Sequence, residues 1–270
     1  MRSSIDREGY SIAPANRFVG AIRGMAEFEI RPGITVTLIN EIDCTSMNAI
    51  RDQPDTPRPS YTAFVVKALA MTLAEYPYAN CRLQRFLNLP FFPHRMQCFR
   101  DIDVMVAVER EIEGAPSAVF ADVLRNADRL SLFAINDWLR DLAQSTPETN
   151  EQWRDFRWAI EHLPGPLAKF IFRLPYRFPS LWVKWRGGAA MVSSPAKYGV
   201  DGIVGSWTAP LGVSFGFVRN RPIAAGDTVR VAPTMNLVLN FDRTVMAGAQ
   251  ASKFFKRFSD RLCRAEQELV

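Results

Sequence analysis

The sequence predicts an α/β (α+β) domain. Segments in which apolar and polar residues alternate with period two recur along the chain, and stretches with a helical apolar stripe lie between them. No internal repeat and no low-complexity tract interrupts this mixture. The whole of 1–270 therefore reads as a single domain, long but within range for one α/β unit.

Residues 33–38 alternate as a half-buried strand. Residues 51–60 hold Pro54, Pro57 and Pro59 and form a loop. Ser60 caps a helix that runs to Tyr76, with Val65, Val66, Leu69 and Leu73 on one face, and Pro77 ends it. Residues 102–108 alternate again. Ser131 opens a helix to about Gln144 whose apolar stripe is Leu132, Ile135, Leu139 and Leu142. Further strands are expected near 190–193, 211–218 and 229–241. A last helix over 249–268 turns Phe254, Phe258 and Leu262 inward and Lys253, Lys256, Arg257 and Arg261 mostly outward.

Composition narrows the function classes. The chain is 48% hydrophobic and 23% charged, as expected for a globular protein with a sizeable core, and its net charge of +5 is too mild to suggest nucleic acid. Cys44, Cys81, Cys98 and Cys263 form no C-x-x-C pair, and His94 and His162 stand alone, so no metal site is expected. The four dispersed cysteines read as buried free thiols in a reducing compartment. The opening residues lack the apolar core of a signal peptide, and no uncharged apolar run approaches the roughly 20 residues that span a bilayer. A cytoplasmic protein is expected.

The chemical signal lies near the carboxyl end, in Phe241-Asp242-Arg243-Thr244-Val245-Met246-Ala247-Gly248-Ala249. This run resembles the active-site signature of the acyltransferase (E2) catalytic domain of 2-oxo acid dehydrogenase complexes, written Phe-Asp-His-Arg-x-x-Asp-Gly-Ala. That family shares its fold with chloramphenicol acetyltransferase. The position of the family's catalytic His holds Arg243, and that of its second Asp holds Ala247.

Other segments match in family order. Residues 60–70 with Tyr76-Pro77-Tyr78-Ala79-Asn80 are similar to its first core helix. Residues 102–108 resemble a family strand, and 123–132 resemble its Arg-Asp-Ala-Asp-Arg segment. Residues 192–201 sit where it has a Thr-Ile-Ser run, and 212–222 fit a later strand. The resemblance covers about 15–265, apart from an insertion at about 145–188. It implies a chloramphenicol acetyltransferase-like fold with a mixed sheet covered by helices. No room is left for a lipoyl domain ahead of it, so a free-standing version is expected.

In the resembled family the His removes a proton from a thiol or hydroxyl that attacks an acyl thioester such as acyl-coenzyme A. A hydroxyl from the Thr-Ile-Ser region stabilises the oxyanion. Arg243 cannot act as that base, because guanidinium stays protonated and offers only donors. Three functions are therefore open: acyl handling by an altered mechanism without the His, a catalytically inactive homologue serving as an oligomeric scaffold or binding subunit, or reuse of the site for a different reaction on a thioester or anionic substrate. Ser193 and Ser194 are the candidate oxyanion donors. Asp242, Gly248 and Tyr198 are candidate substrate-site residues, with Asp242 more simply a structural carboxylate and Tyr198 more simply a packed aromatic. Arg243 is either a solvent-facing replacement or a ligand for a carboxylate or phosphate. No tightly bound cofactor is expected; a coenzyme A thioester is the co-substrate and the acyl group is a small molecule or carrier-bound. The resemblance implies a homotrimer or a multiple of it.

Residues 162–200 contain no acidic residue. Lys169, Arg173, Arg177, Lys184, Arg186 and Lys197 alternate there with Phe170, Phe172, Tyr176, Phe178, Trp182 and Trp185. Pro164, Pro166, Pro175 and Pro179 are expected to break any long helix. The segment reads first as a lid packed on the core. Contact with an anionic membrane surface through 164–188, or cover over an acyl-chain channel, are its other readings.

Overall fold

In the computed structural model, which describes residues 35–54, 56–84, 95–112 and 115–270, nine strands alternate with helices. The strands are β1 (Thr35–Asp43), β2 (Cys81–Gln84), β3 (Arg95–Cys98), β4 (Val104–Ile112), β5 (Ala115–Leu124), β6 (Ala190–Ser193), β7 (Leu211–Phe215), β8 (Arg219–Ala225) and β9 (Thr228–Asp242). The helices are α1 (Thr45–Arg51), α2 (Tyr61–Glu75), α3 (Leu132–Gln144), α4 (Glu151–His162), α5 (Gly165–Arg177), α6 (Pro179–Arg186), α7 (Gly248–Cys263) and α8 (Ala265–Glu268). Seven strands form one mixed sheet in the order β1-β9-β7-β6-β4-β5, with β8 paired to the start of β9. β6 runs parallel to both β4 and β7, and the other pairs are antiparallel. The mixed α/β architecture expected from the sequence is the one observed.

Strand alternation sorts the core. Val104, Val106, Ala190, Val192, Leu211, Val213, Leu237, Leu239 and Phe241 share one sheet face with Phe64 and Leu69 of α2 and Phe254 and Phe258 of α7. The intervening Met105 and Met191 turn to the opposite face, where they pack with Val123 and Ala209. The caps are as the sequence predicts: Ser60 Oγ accepts from Ala63 N at 3.2 Å, and Ser131 Oγ accepts from Ala134 N at 3.1 Å. The first strand starts at Thr35; Gly33 and Ile34 of the expected strand lie outside the described residues.

Three expectations are corrected. Arg261 is not on the outer face of α7: it is 5% exposed, donating to Thr72 Oγ1 at 2.9 Å and Glu75 Oε2 at 2.6 Å. Its long stem packs inward while its charge meets carboxylates from α2 and α8. The expected terminal helix is two helices, α7 and α8, separated at Arg264. The cysteines are not four free thiols either. Cys81 and Cys98 face each other across the β2–β3 hairpin and form a disulfide, leaving Cys44 buried and Cys263 exposed. Seventeen residues apart in sequence, they become neighbours only through strand pairing, and half of the thiol argument for a reducing compartment goes with them.

The prolines of the insertion do not prevent helices. Pro166 and Pro179 occupy the first turns of α5 and α6, where the missing N–H costs nothing, and Pro175 alone lies inside a helix. The insertion is thus a three-helix cover over the second sheet face. Arginines of the sheet region hold it at its carbonyl ends. Arg82 donates to Pro175 O and Tyr176 O at 3.4 Å each, at the end of α5. Arg125 donates to Val183 O at 2.7 Å and Lys184 O at 2.6 Å near the end of α6, and also pairs with Asp103. Both satisfy carbonyls that a helix end leaves open and complement its dipole. No described helix is long and apolar enough to cross a membrane.

Candidate functional site

β9 delivers the signature. Its last residues are held between β1 and β7, with Phe241 opposite both Val36 and Leu211 and buried at 1% exposure. Asp242 then closes a tight turn. Its Oδ1 accepts from Thr244 N at 2.8 Å and Thr244 Oγ1 at 2.7 Å, and its carbonyl accepts from Val245 N and Met246 N. Asp242 N in turn donates to Pro210 O at 3.0 Å. The carboxylate is thus spent on local structure.

Arg243 follows on the exposed side of this turn and has no hydrogen-bond or ion-pair partner among the described residues. Ala247 is the N-cap of α7. Gln250 Oε1 reaches back to accept from Ala247 N at 3.0 Å, but a methyl group cannot return a bond to the helix. Gly248 begins α7 in open space, where a Cβ would meet nothing within 4 Å. Nothing among the described residues requires glycine there.

The serines lie elsewhere. Ser194 Oγ donates to Phe215 O at 2.8 Å and accepts from Ala196 N at 3.2 Å, so its proton is engaged. Ser193 ends β6 and, by alternation, shares the sheet face of Met191. It pairs with Ser214, which pairs with Val238, whereas Arg243 lies five residues further along β9. At a strand's rise per residue, that is about 17 Å. The structure therefore groups Asp242, Arg243, Ala247 and Gly248 at one end of β7 and places Ser193 and Ser194 at the other.

Tyr198 is not a packed aromatic. It stands 64% exposed on a short 3-10 turn, where its OH donates to Glu109 Oε2 at 2.6 Å. Lys197 also pairs with Glu109, and that hydrogen bond holds the Lys197 ammonium above its ordinary pKa. Glu109 had no sequence signal; only the pairing of β4 with its neighbours brings it to this turn.

A second feature lies on the far sheet face. The insertion helices enclose, with β4, β5 and β6, a cavity of about 630 Å³. Its wall includes Phe120, Phe156, Phe172, Leu181, Trp185 and Met191. The sequence shows the aromatic interleaving that supplies part of this wall, but only the fold shows that it encloses a space. Among the described residues no cluster of His, Cys, Asp or Glu has the makings of a metal site.

A family model described as 2-oxoacid dehydrogenases acyltransferase (catalytic domain) matches residues 29–157, ending inside α4. The chain is 25% identical over 232 residues to the succinyltransferase component of the human mitochondrial 2-oxoglutarate dehydrogenase complex, covering 82% of this chain and 42% of that protein. It is 21% identical over 229 residues to an acetyltransferase component of the Arabidopsis thaliana pyruvate dehydrogenase complex, covering 84% and 35%. It thus spans about a third to a half of the curated relatives it matches. Among solved structures, a probable dihydrolipoamide acetyltransferase from Listeria monocytogenes superposes with a TM-score of 0.66 at 18% identity, covering 97% of this chain and 98% of that one. A chloramphenicol acetyltransferase superposes with a TM-score of 0.52 at 12% identity, covering 92% and 96%. The fold is that of this group, and the resemblance drawn from the signature stands.

Proposed function

We propose that this relative of the E2 acyltransferase catalytic domain handles an acyl thioester, acyl-coenzyme A or carrier-bound, without a histidine base. Arg243 would bind an anionic part of the substrate where the family signature places that base. The observation that supports this reading is the state of Arg243: exposed, on a turn fixed by Asp242, and without a partner among the described residues. A permanently charged planar guanidinium suits a phosphate or carboxylate, which it binds bidentately.

In this mechanism the acceptor supplies its own nucleophile. A thiol of ordinary pKa, about 8.5, is partly ionised near neutrality. The thiolate attacks the thioester carbonyl, Ser193 Oγ donates to the oxyanion, and collapse expels the coenzyme A thiolate. Ser194 is the weaker donor, because its proton already serves Phe215 O. Asp242 and Gly248 shape the turn, and Tyr198 lines the approach to the Ser193 end. Since Ser193 and Arg243 of one chain lie at opposite ends of β7, they would meet across a subunit boundary, in a homotrimer or a multiple of it. Coenzyme A enters as co-substrate, and no tightly bound cofactor is required.

A scaffold reading is favoured by a different observation: Ala247 supplies no carboxylate and Ser194 no free proton. Free-thiol release from acyl-coenzyme A compounds, with and without thiol acceptors, separates the two, together with calorimetry of coenzyme A binding to the wild type and Arg243→Ala. Release above the spontaneous rate and binding weakened in Arg243→Ala support acyl handling. No release and no binding, with acyl transfer appearing only in the double variant Arg243→His/Ala247→Asp, would establish a decayed site.

Contact with an anionic membrane surface is supported by Leu167, Phe170, Phe178 and Val183, all exposed on α5, its end and α6 beside the exposed Lys184. Flotation with anionic liposomes at low salt tests it; protein remaining at the bottom of the gradient ends that reading.

A further inference from the structure

The cavity beneath the insertion lies on the second sheet face. At about 630 Å³ it falls in the size range of small-molecule sites, about 300–1,000 Å³, and far above the water-sized voids of a packed core. Most of its polar wall groups are already engaged. Gln152 Nε2 donates to Ala121 O at 3.1 Å and Trp185 O at 3.2 Å. Arg186 donates to Tyr176 Oη at 2.9 Å and Thr208 Oγ1 at 3.3 Å. Asp155 lies 3.6 Å from Arg154. None of the buried polar atoms that lack a partner among the described residues belongs to this wall. An occupant therefore finds a mostly apolar surface.

Two of its wall residues, Val119 on β5 and Trp158 on α4, are each 55% exposed, so the cavity wall extends to the surface there. At its floor, Met191 is two residues before Ser193 on the same strand face, about 7 Å along β6. A molecule filling it thus needs an apolar body of this volume and carries its polar group at an end. Much of the roof, on α5 and α6, comes after residue 157 and so outside the segment that matches the family model.

We infer that this cavity binds an extended hydrocarbon chain, the chain of a fatty acid or of an acyl thioester. This deepens the acyl-handling reading and rests on it only for the nature of the polar end. Binding is measured without turnover, so loss of the acyl-transfer proposal and loss of this one are distinguishable.

The test is displacement of 1-anilinonaphthalene-8-sulfonate from the full chain by saturated fatty acids of increasing length, kept below micelle formation, with matching acyl-coenzyme A compounds in a second arm. Each methylene that enters the cavity tightens binding about fourfold, and the gain stops when the cavity is full. Ala159→Leu, which fills the wall, moves that plateau to shorter chains. Phe172→Ala, which enlarges it, moves it to longer ones, a gain that a poorly folded protein does not produce. A plateau in both arms identifies a chain site indifferent to the polar end, and a plateau with thioesters alone identifies one that also reads it; both support the inference. No displacement in either arm overturns it, as does a plateau that neither variant moves.

Discussion

Arg82 lies over the ring of Trp182, with its guanidinium carbon 3.9 Å from the ring centroid. Arg82 belongs to β2 and is 4% exposed, while Trp182 belongs to α6 and is 1% exposed. The same guanidinium donates to Gln97 Oε1 at 2.8 Å and to two carbonyls at the end of α5. One side chain thus joins the β2–β3 hairpin to two of the three helices that cover the cavity, α5 and α6. The insertion is docked by buried polar contacts of the sheet region as well as by its own apolar face.

Arg82→Ala is expected to destabilise the protein by about 2–4 kcal/mol, combining charged hydrogen bonds with a buried cation–π contact. Arg82→Lys should recover less than half of this, because a lysine cannot both stack on the ring and reach two carbonyls. Urea denaturation followed by tryptophan fluorescence measures both. Equal stability of Arg82→Ala and wild type would show that the helices dock without it.

Five of the seven strands of the main sheet, the helices α2 and α3 and their serine caps were legible because each rests on local rules of periodicity and capping. The signature turn was legible because Phe241, Asp242, Gly248 and Ala249 stand at family spacing. What escaped depends on contacts between distant segments. The Cys81–Cys98 bond follows from hairpin register, the burial of Arg261 from carboxylates on α2 and α8, and the role of Glu109 from the pairing of β4 with β6. The prolines of the insertion keep its helices short, as expected, but that Pro166 and Pro179 also open helices was not read from the sequence.

Gly212 and Trp207 make a second testable pair. Gly212 is the second residue of β7, opposite Met191 and Asn240, and a Cβ there would overlap the Trp207 ring. Gly212→Ala should therefore cost about 1–3 kcal/mol through overpacking. Combined with Trp207→Ala, it should cost less than the sum of the two single changes, since the second removes the clash. Thermal unfolding of the four proteins of this cycle is the measurement, and strict additivity would refute the contact.

The replacement at the N-cap of α7 carries a stability prediction independent of chemistry. Gln250 already supplies one half of a capping box to Ala247 N, and the other half needs a side-chain oxygen at position 247. Ala247→Asp and Ala247→Ser should each stabilise the protein by about 1 kcal/mol. Asp should exceed Ser at low salt, because a negative charge also complements the helix dipole. Unfolding midpoints at two salt concentrations check this; no gain from either variant would mean that the N-cap is already satisfied from elsewhere.

Cysteine chemistry gives the last prediction. Among the four cysteines, a thiol reagent should find one accessible site in the native protein, the exposed Cys263. Without reductant, unfolding should expose Cys44 as a second site, and reduction should add Cys81 and Cys98. Four sites in the unfolded protein before reduction would refute the disulfide. Burial, reinforced by the fields of Asp43 and Cys263, pushes the Cys44 thiol from 9.0 up to about 12. Below the unfolded value both states keep the proton, so its contribution to stability is whole. As pH rises from 9.0 towards 12 the unfolded chain ionises while the native one does not, and stability falls. Urea midpoints at about pH 8 and about pH 10.5 should separate for the wild type and separate less for Cys44→Ala. An unchanged separation in the variant would assign the alkaline loss to other groups.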